Sequence, residues 1–229
     1  MVRLILAGLA LVLLAVGGFV GYRTMSFTAP PPPAAVEIPD TSAYAINTSA
    51  AAARLAEAIR FPTVSLVEET DDRAPFRNLH AWMQTTYPAF HAAAKREQFG
   101  EFSLMYTWAG SDAAQPPIVL TAHMDVVPAP ADTLESWRTA PFDGRVEEGY
   151  VLGRGAVDDK GSLIALLEAA EFLAAQGRQP VRTIIFAFGH DEEIGGDNGA
   201  VLMAQALAQR GVRAWFVLDE GSAAIDPHP

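Results

Sequence analysis

The chain has 229 residues, with 27 acidic against 16 basic side chains, a formal net charge of −11 and a pI near 4.8. That balance argues against nucleic-acid binding, which needs a basic footprint for the phosphates. There is no cysteine, so neither a disulfide nor a thiolate metal site is available.

Leu4 to Tyr22 is an uninterrupted apolar stretch between Arg3 and Arg23. At about 1.5 Å per residue such a helix crosses a hydrocarbon core of roughly 30 Å. A cleavable signal peptide is the rival reading, but its apolar region is usually about 7 to 15 residues, so residues 1–23 read better as an uncleaved membrane anchor with the long remainder exported. Residues 24–47 hold Pro30, Pro31, Pro32, Pro33 and Pro39 among small and polar residues. That composition favours extended polyproline II and a stalk-like linker. Residues 48–229 are long enough for one domain with a core of its own.

In that domain, Ser49 to Ile59 predicts a helix stopped by Phe61-Pro62, because the residue before proline avoids the helical region. A second helix is expected over Pro75 to Thr86, with Phe76, Leu79 and Met83 on one face. His80 and His91, without other ligand-type residues beside them, read as packing or surface residues. Glu101 to Trp108 predicts a strand ended by Gly110-Ser111-Asp112.

Three further apolar runs matter more. Ile118 to Ala122 leads into His123 and Asp125, Thr183 to Phe188 into the segment from His190 to Glu193, and Trp215 to Leu218 into Asp219 and Glu220. Runs of this kind read as parallel strands buried on both faces. Ligands of open α/β sheets gather outside the carboxyl ends of the strands, so three strands ending in ligand-type side chains point to one shared site. The fold expected is a three-layer α/β domain with a mostly parallel central sheet, the three runs adjacent within it.

Between the first two runs, Gly153-Arg154-Gly155-Ala156-Val157-Asp158-Asp159-Lys160-Gly161 places two adjacent carboxylates at the start of a helix. That helix is expected over Ser162 to Gln176, with Leu163, Leu166, Leu167 and Ala170 buried and Gly177 closing it. Asp158 or Asp159 merely capping the helix is the plainer reading, although one carboxylate would suffice for that. His123 and Asp125, two apart at a strand end, start on one face. A carboxylate there can hold the far N–H of a metal-bound imidazole; a structural His–Asp pair is the other option. Glu192 and Glu193 crowd like charges after a buried strand, an arrangement that a cation would relieve. One glutamate could ligate metal while the other stays free as a general base. One histidine with several carboxylates suits Zn²⁺, with Mn²⁺ and Co²⁺ as further options.

The segments Thr121-Ala122-His123-Met124-Asp125-Val126-Val127-Pro128, Gly153 to Gly161, Gly189 to Gly196 and Leu218-Asp219-Glu220-Gly221, with Trp137 and Pro141-Phe142-Asp143-Gly144 between the first two, resemble the co-catalytic two-zinc peptidases that include carboxypeptidase S, aminoacylase and the secreted N-fatty-acyl-amino-acid hydrolases. The resemblance covers about residues 50–225. It implies that His123 and Glu220 bind one zinc ion, that Glu193 binds the other and that Asp158 bridges both; Asp219 beside Glu220 is left as an alternative ligand. Asp125 would orient His123, and Glu192 would be the general base. It also implies a cis Asp158–Asp159 peptide. The implied activity is hydrolysis of amide bonds in N-acyl amino acids or short peptides beside a free carboxylate.

Members of this family continue beyond the position matching Pro229 with a lid or dimerisation domain and a last histidine for the second zinc. By that resemblance the sheet is expected to be incomplete at its C-terminal end, and this stretch alone to be nearly inactive and prone to aggregate. Two other readings stand beside the hydrolase: a catalytically silent, membrane-anchored remnant that binds metal or a partner, and a deacylase of a biosynthetic intermediate.

Overall fold

The computed structural model describes residues 2–28, 44, 46–66 and 73–221. The chain divides into two compact units, Met1–Tyr44 and Ala45–Pro229. In the first, helix α1 (Val2–Met25) is apolar around its whole circumference and is long and apolar enough over Ile5–Met25 to cross a membrane. Most of the proline-rich stretch assigned to the linker lies outside the described residues.

The second unit opens with α2 (Thr48–Ile59), whose start is fixed by Asn47, its Oδ1 accepting the amide of Ala50 at 3.0 Å. Helices α3 (Ala74–Thr86) and α4 (Pro88–Ala93) follow. Pro88 suits a first turn, and two amides of that turn, Ala89 and Phe90, donate to the Glu171 carboxylate at 3.1 and 2.7 Å. Strands β1 (Lys95–Phe99) and β2 (Ser103–Trp108) form an antiparallel hairpin that turns at Gly100, where φ is +56°. A side chain at Gly100 would lie 1.9 Å from the Asn198 carbonyl, so the close approach requires glycine. The sequence reading found β2 but began it at Glu101 and missed β1, whose polar, half-exposed pattern carries little apolar periodicity.

Strand β3 (Ile118–His123) pairs in parallel with β6 (Ile184–Gly189) and with the short β7 (Val217–Leu218), as expected from the three apolar runs. Only two residues of the Trp215–Leu218 run form ladder pairs. The sheet order is β1-β2-β6-β3-β7, so the antiparallel hairpin flanks the parallel strands; β4 (Arg145–Glu147) and β5 (Tyr150–Leu152) make a separate small ribbon.

Helices cover both faces. On one side α2, α3, α4 and α5 (Lys160–Ala175) bury Leu79, Met83, Phe90, Leu163 and Leu167 against Tyr106, Phe186 and Phe188. On the other side α6 (Ala200–Gln209) packs Met203 over Met105, Val119, Ile185 and Ala187. Helix α5 starts two residues earlier than its apolar stripe indicates and ends as expected at Gly177, whose φ is +68°. The amides of Gly177 and Arg178 close its last turn on the carbonyls of Ala174 and Leu173, at 2.8 and 3.0 Å.

Two charged residues of α5 are buried, which periodicity alone cannot show. Glu168 accepts hydrogen bonds from the Arg54 guanidinium and, at 2.9 Å, from the Tyr87 hydroxyl, joining α2, α4 and α5. Lys160 donates from Nζ to the carbonyls of Ala58 and Phe61 at 3.0 and 2.6 Å, tying the start of α5 to the end of α2. Burial pushes its pKa down to about 7, with the Asp125 charge working against that shift.

Candidate metal centre

The register decides where the functional side chains meet. His123 pairs with Gly189 at the end of β3 and β6, and Leu120 pairs with Leu218 in β7, so the chain leaves all three strands at one edge of the sheet. The start of α5 points its first residues at the same edge.

The buried imidazole of His123 is the common point. Its Nδ1 lies 2.9 Å from the Asp125 carbonyl oxygen and 3.3 Å from Asp125 Oδ1; both are acceptors, so Nδ1 carries a hydrogen. Nε2 faces Asp158 Oδ1 at 2.9 Å, Glu220 Oε1 at 3.5 Å and Glu192 Oε2 at 3.9 Å. Burial lowers the His123 pKa, but hydrogen bonds and charge from Asp125, then Asp158 and Glu220, outweigh it and push the value up to about 10.

Asp125 does more than face His123. Its fully buried carboxylate accepts the backbone N–H groups of Glu192 and Glu193, each at 3.2 Å, so one side chain fixes the imidazole and the start of the acidic turn together. Burial opposes its ionisation, yet the His123 hydrogen bond and charge hold its pKa below the ordinary value. Glu193 Oε1 accepts the amide of Val127 at 3.1 Å, while burial and the Asp158 charge raise its pKa. Burial likewise raises Glu220. Asp158 and Glu192 stay open to solvent, their side chains 65% and 51% exposed.

Two donor sets result, in each of which one atom per residue lies within 4.8 Å of the others: His123 with Asp158 and Glu193, and His123 with Asp159 and Glu220. Every residue named as a ligand from the sequence is therefore in the cluster, and Asp159 joins them. Asp159 is at the cap position of α5 but its side chain makes no capping bond. Its Oδ2 accepts the His123 amide at 3.2 Å, its Oδ1 is buried without a hydrogen-bond partner, and burial raises its pKa. The paired aspartates were the signal for it, but the sequence offered no way to tell a cap from an inward-facing carboxylate. The Asp158–Asp159 peptide is cis.

Asp219 and Glu220, the two candidates after β7, are placed differently. Asp219 Oδ1 accepts the Thr121 hydroxyl and, at 3.0 Å, the Glu220 amide, so it fastens β7 to β3 while Glu220 turns to His123. Three other histidines pack elsewhere. His91 bonds the Tyr87 carbonyl and the Tyr106 hydroxyl, His80 lies edge-on to Phe102, and His190 sits against Phe76 and Phe102 with Nδ1 2.6 Å from Ser103 Oγ. Beside the cluster a cleft of 440 Å³ runs from His123, Glu192 and Glu220 between the sheet and α6, past Val119, Met203 and Leu207.

Residues 119–226 match peptidase family M20/M25/M40. Over that stretch, just under half of its length, the chain is similar to this family. A probable carboxypeptidase S-like protein of Dictyostelium discoideum is 39% identical over 211 residues, covering 90% of this chain and 40% of the relative. An N-fatty-acyl-amino acid synthase/hydrolase of Xenopus tropicalis is 41% identical over 171 residues, covering 74% and 33%. Carboxypeptidase S of Saccharomyces cerevisiae is 38% identical over 185 residues, covering 76% and 32%. The chain thus spans well under half the length of these curated relatives. Among solved structures, human carnosine dipeptidase 1 superposes with a TM-score of 0.60 at 20% identity, over 75% of this chain and 38% of the other. An M20 family metallo-carboxypeptidase of Sulfolobus solfataricus gives 0.58 at 22% identity, over 75% and 37%, so the two share this fold.

Similarity to an M20 metallopeptidase family implies a divalent metal, and the residues present fit one. Several carboxylates converge on one imidazole, and the Oδ1 of Asp159 is a buried acceptor that a cation would satisfy.

Proposed function

We propose that the protein is a zinc-dependent hydrolase that cleaves amide bonds of N-acyl amino acids or short peptides beside a free carboxylate. Because the chain spans 32–40% of the curated relatives, metal binding is proposed for this chain and the reaction for a protein of the relatives' extent. The observation that carries the reading is the convergence of Asp158, Asp159, Glu193 and Glu220 around His123, with the open carboxylate of Glu192 beside them at 3.9 Å from Nε2. His123, Asp158, Glu193 and Glu220 would hold two zinc ions, with Asp158 between them and Asp159 as a further donor.

Bound zinc would supply Lewis-acid polarisation of the scissile carbonyl and acidify the attacking water. The chain does the rest. Asp125 keeps the Nδ1 hydrogen of His123 in place, which leaves the Nε2 lone pair for the ion and raises its basicity. Glu192, held by its amide but free at its carboxylate to move, takes the proton of the water and returns it to the leaving amine. We also propose that α1 anchors the protein in a membrane, with the second unit exported; the relatives' names support an acyl- or peptidyl-amino-acid substrate.

The test is isothermal titration of the metal-free chain with Zn²⁺, followed by assay of N-acyl amino acid and dipeptide hydrolysis with Glu192→Gln as the control. Zinc binding retained by Glu192→Gln, with turnover lost, supports the reading. Turnover that survives Glu192→Gln would contradict the assigned base.

A further inference from the structure

Residues Thr63 to Ser65 have no part in the donor sets, yet they run beside the loop that carries Asp125. Val64 bridges Val126 in parallel, the Val126 amide donates to the Thr63 carbonyl at 3.0 Å, and the Ser65 amide donates to the Val126 carbonyl at 3.2 Å. The Thr63 hydroxyl donates to the Met124 carbonyl at 2.6 Å. Both side chains are buried. The three residues hold the loop from Met124 to Val126 through one isolated bridge and these hydrogen bonds.

Ser65 reaches further than its neighbours. Its Oγ donates to the His190 carbonyl at 3.0 Å, while its amide holds the Val126 carbonyl beside Asp125. The preceding peptide is held too, because the His190 amide donates to Ser103 Oγ at 3.1 Å. Two residues on, the amides of Glu192 and Glu193 return to Asp125. Ser65, through Val126 and His190, and Asp125, through Glu192 and Glu193, thus both join the two ligand-bearing segments.

We infer that Ser65 is a positioning residue of the metal centre, which sets the spacing between His123 and the Glu192–Glu193 turn by bridging the loop that carries Asp125 and the His190 carbonyl. The inference rests on the metal reading above. Partners behind the ligands fix ligand orientation, and their loss typically lowers metal affinity about 10- to 100-fold. Threonine keeps the hydroxyl and alanine removes it, so the pair separates the hydrogen bond from the bulk of the side chain.

The experiment titrates the metal-free full chain, solubilised in detergent, with Co²⁺ and Zn²⁺, following the visible Co²⁺ absorption and the heat of Zn²⁺ binding for the parent, Ser65→Ala and Ser65→Thr. Thermal unfolding of the metal-free forms is measured in parallel. The expected result is affinity about 10-fold or more weaker and an altered Co²⁺ spectrum in Ser65→Ala, both restored in Ser65→Thr, with similar folding of all three. Equal affinity and spectrum in Ser65→Ala would overturn the role of Ser65 while leaving the metal centre standing. A loss of affinity matched by loss of the metal-free fold, or one that Ser65→Thr fails to restore, would overturn it as well. Failure of the parent to bind either ion would overturn both.

Discussion

His123 illustrates how much of this site rests on single charges. In the metal-free chain its pKa near 10 means that it binds a proton at neutral pH, which a metal ion must displace. Zinc binding at pH 7 is therefore expected to release about one proton from His123, and apparent affinity to rise up to about tenfold per pH unit below 10. Calorimetry in buffers of different ionisation enthalpy measures that proton directly. The same shift sets a stability trend: a folded-state pKa raised from 6.5 stabilises the metal-free protein fully below pH 6.5, and the contribution is lost as pH rises toward 10. The melting temperature of metal-free protein should fall across that window, and His123→Gln should flatten the trend. Asp125→Asn, which keeps the shape but loses the charge that three N–H groups share, is expected to weaken zinc binding about 10- to 100-fold. His123, Asp158, Glu193 and Glu220 were legible because each ends an apolar run or opens a helix. Asp159, Ser65 and Ser103 were not, because their roles depend on which way a buried side chain turns and on neighbours more than 30 residues away.

The elements that place the site are themselves tied by buried polar groups. Glu168 holds Arg54 of α2 and Tyr87 at the start of α4 against α5. Removing its carboxylate leaves the Tyr87 hydroxyl buried without that partner. Glu168→Ala is expected to cost about 1–3 kcal/mol, allowing for the partial exposure of Arg54, and Tyr87→Phe less; denaturant titration measures both. The parallel strands and helices α2, α3 and α5 could be read from periodicity and proline placement. Strand β1 could not, since its burial alternates only weakly and its partner β2 supplies the pairing. The length of β7 was also hidden, because Trp215 and Phe216 continue its apolar run without joining the ladder.

At the scale of the molecule, the described part of the second unit leaves Trp215, Val217 and Leu218 65%, 59% and 56% exposed along β7. Apolar residues on a strand that pairs with β3 alone among the described residues make a surface for association. Concentration-dependent self-association of the second unit is expected by light scattering, and Val217→Lys should reduce it. The same edge bounds the cleft beside His123, Glu192 and Glu220, so fold and site meet at β7.

The central claim is that one imidazole and four or more carboxylates, brought together by three parallel strands and the start of α5, form a centre for two divalent ions. The most direct measurement is the zinc stoichiometry and affinity of the purified metal-free chain, compared with His123→Ala. Saturable binding of up to two ions per chain is expected, with the site served by His123 Nε2 lost or strongly weakened in His123→Ala. Zinc binding absent from the parent, or undiminished in His123→Ala, would contradict it.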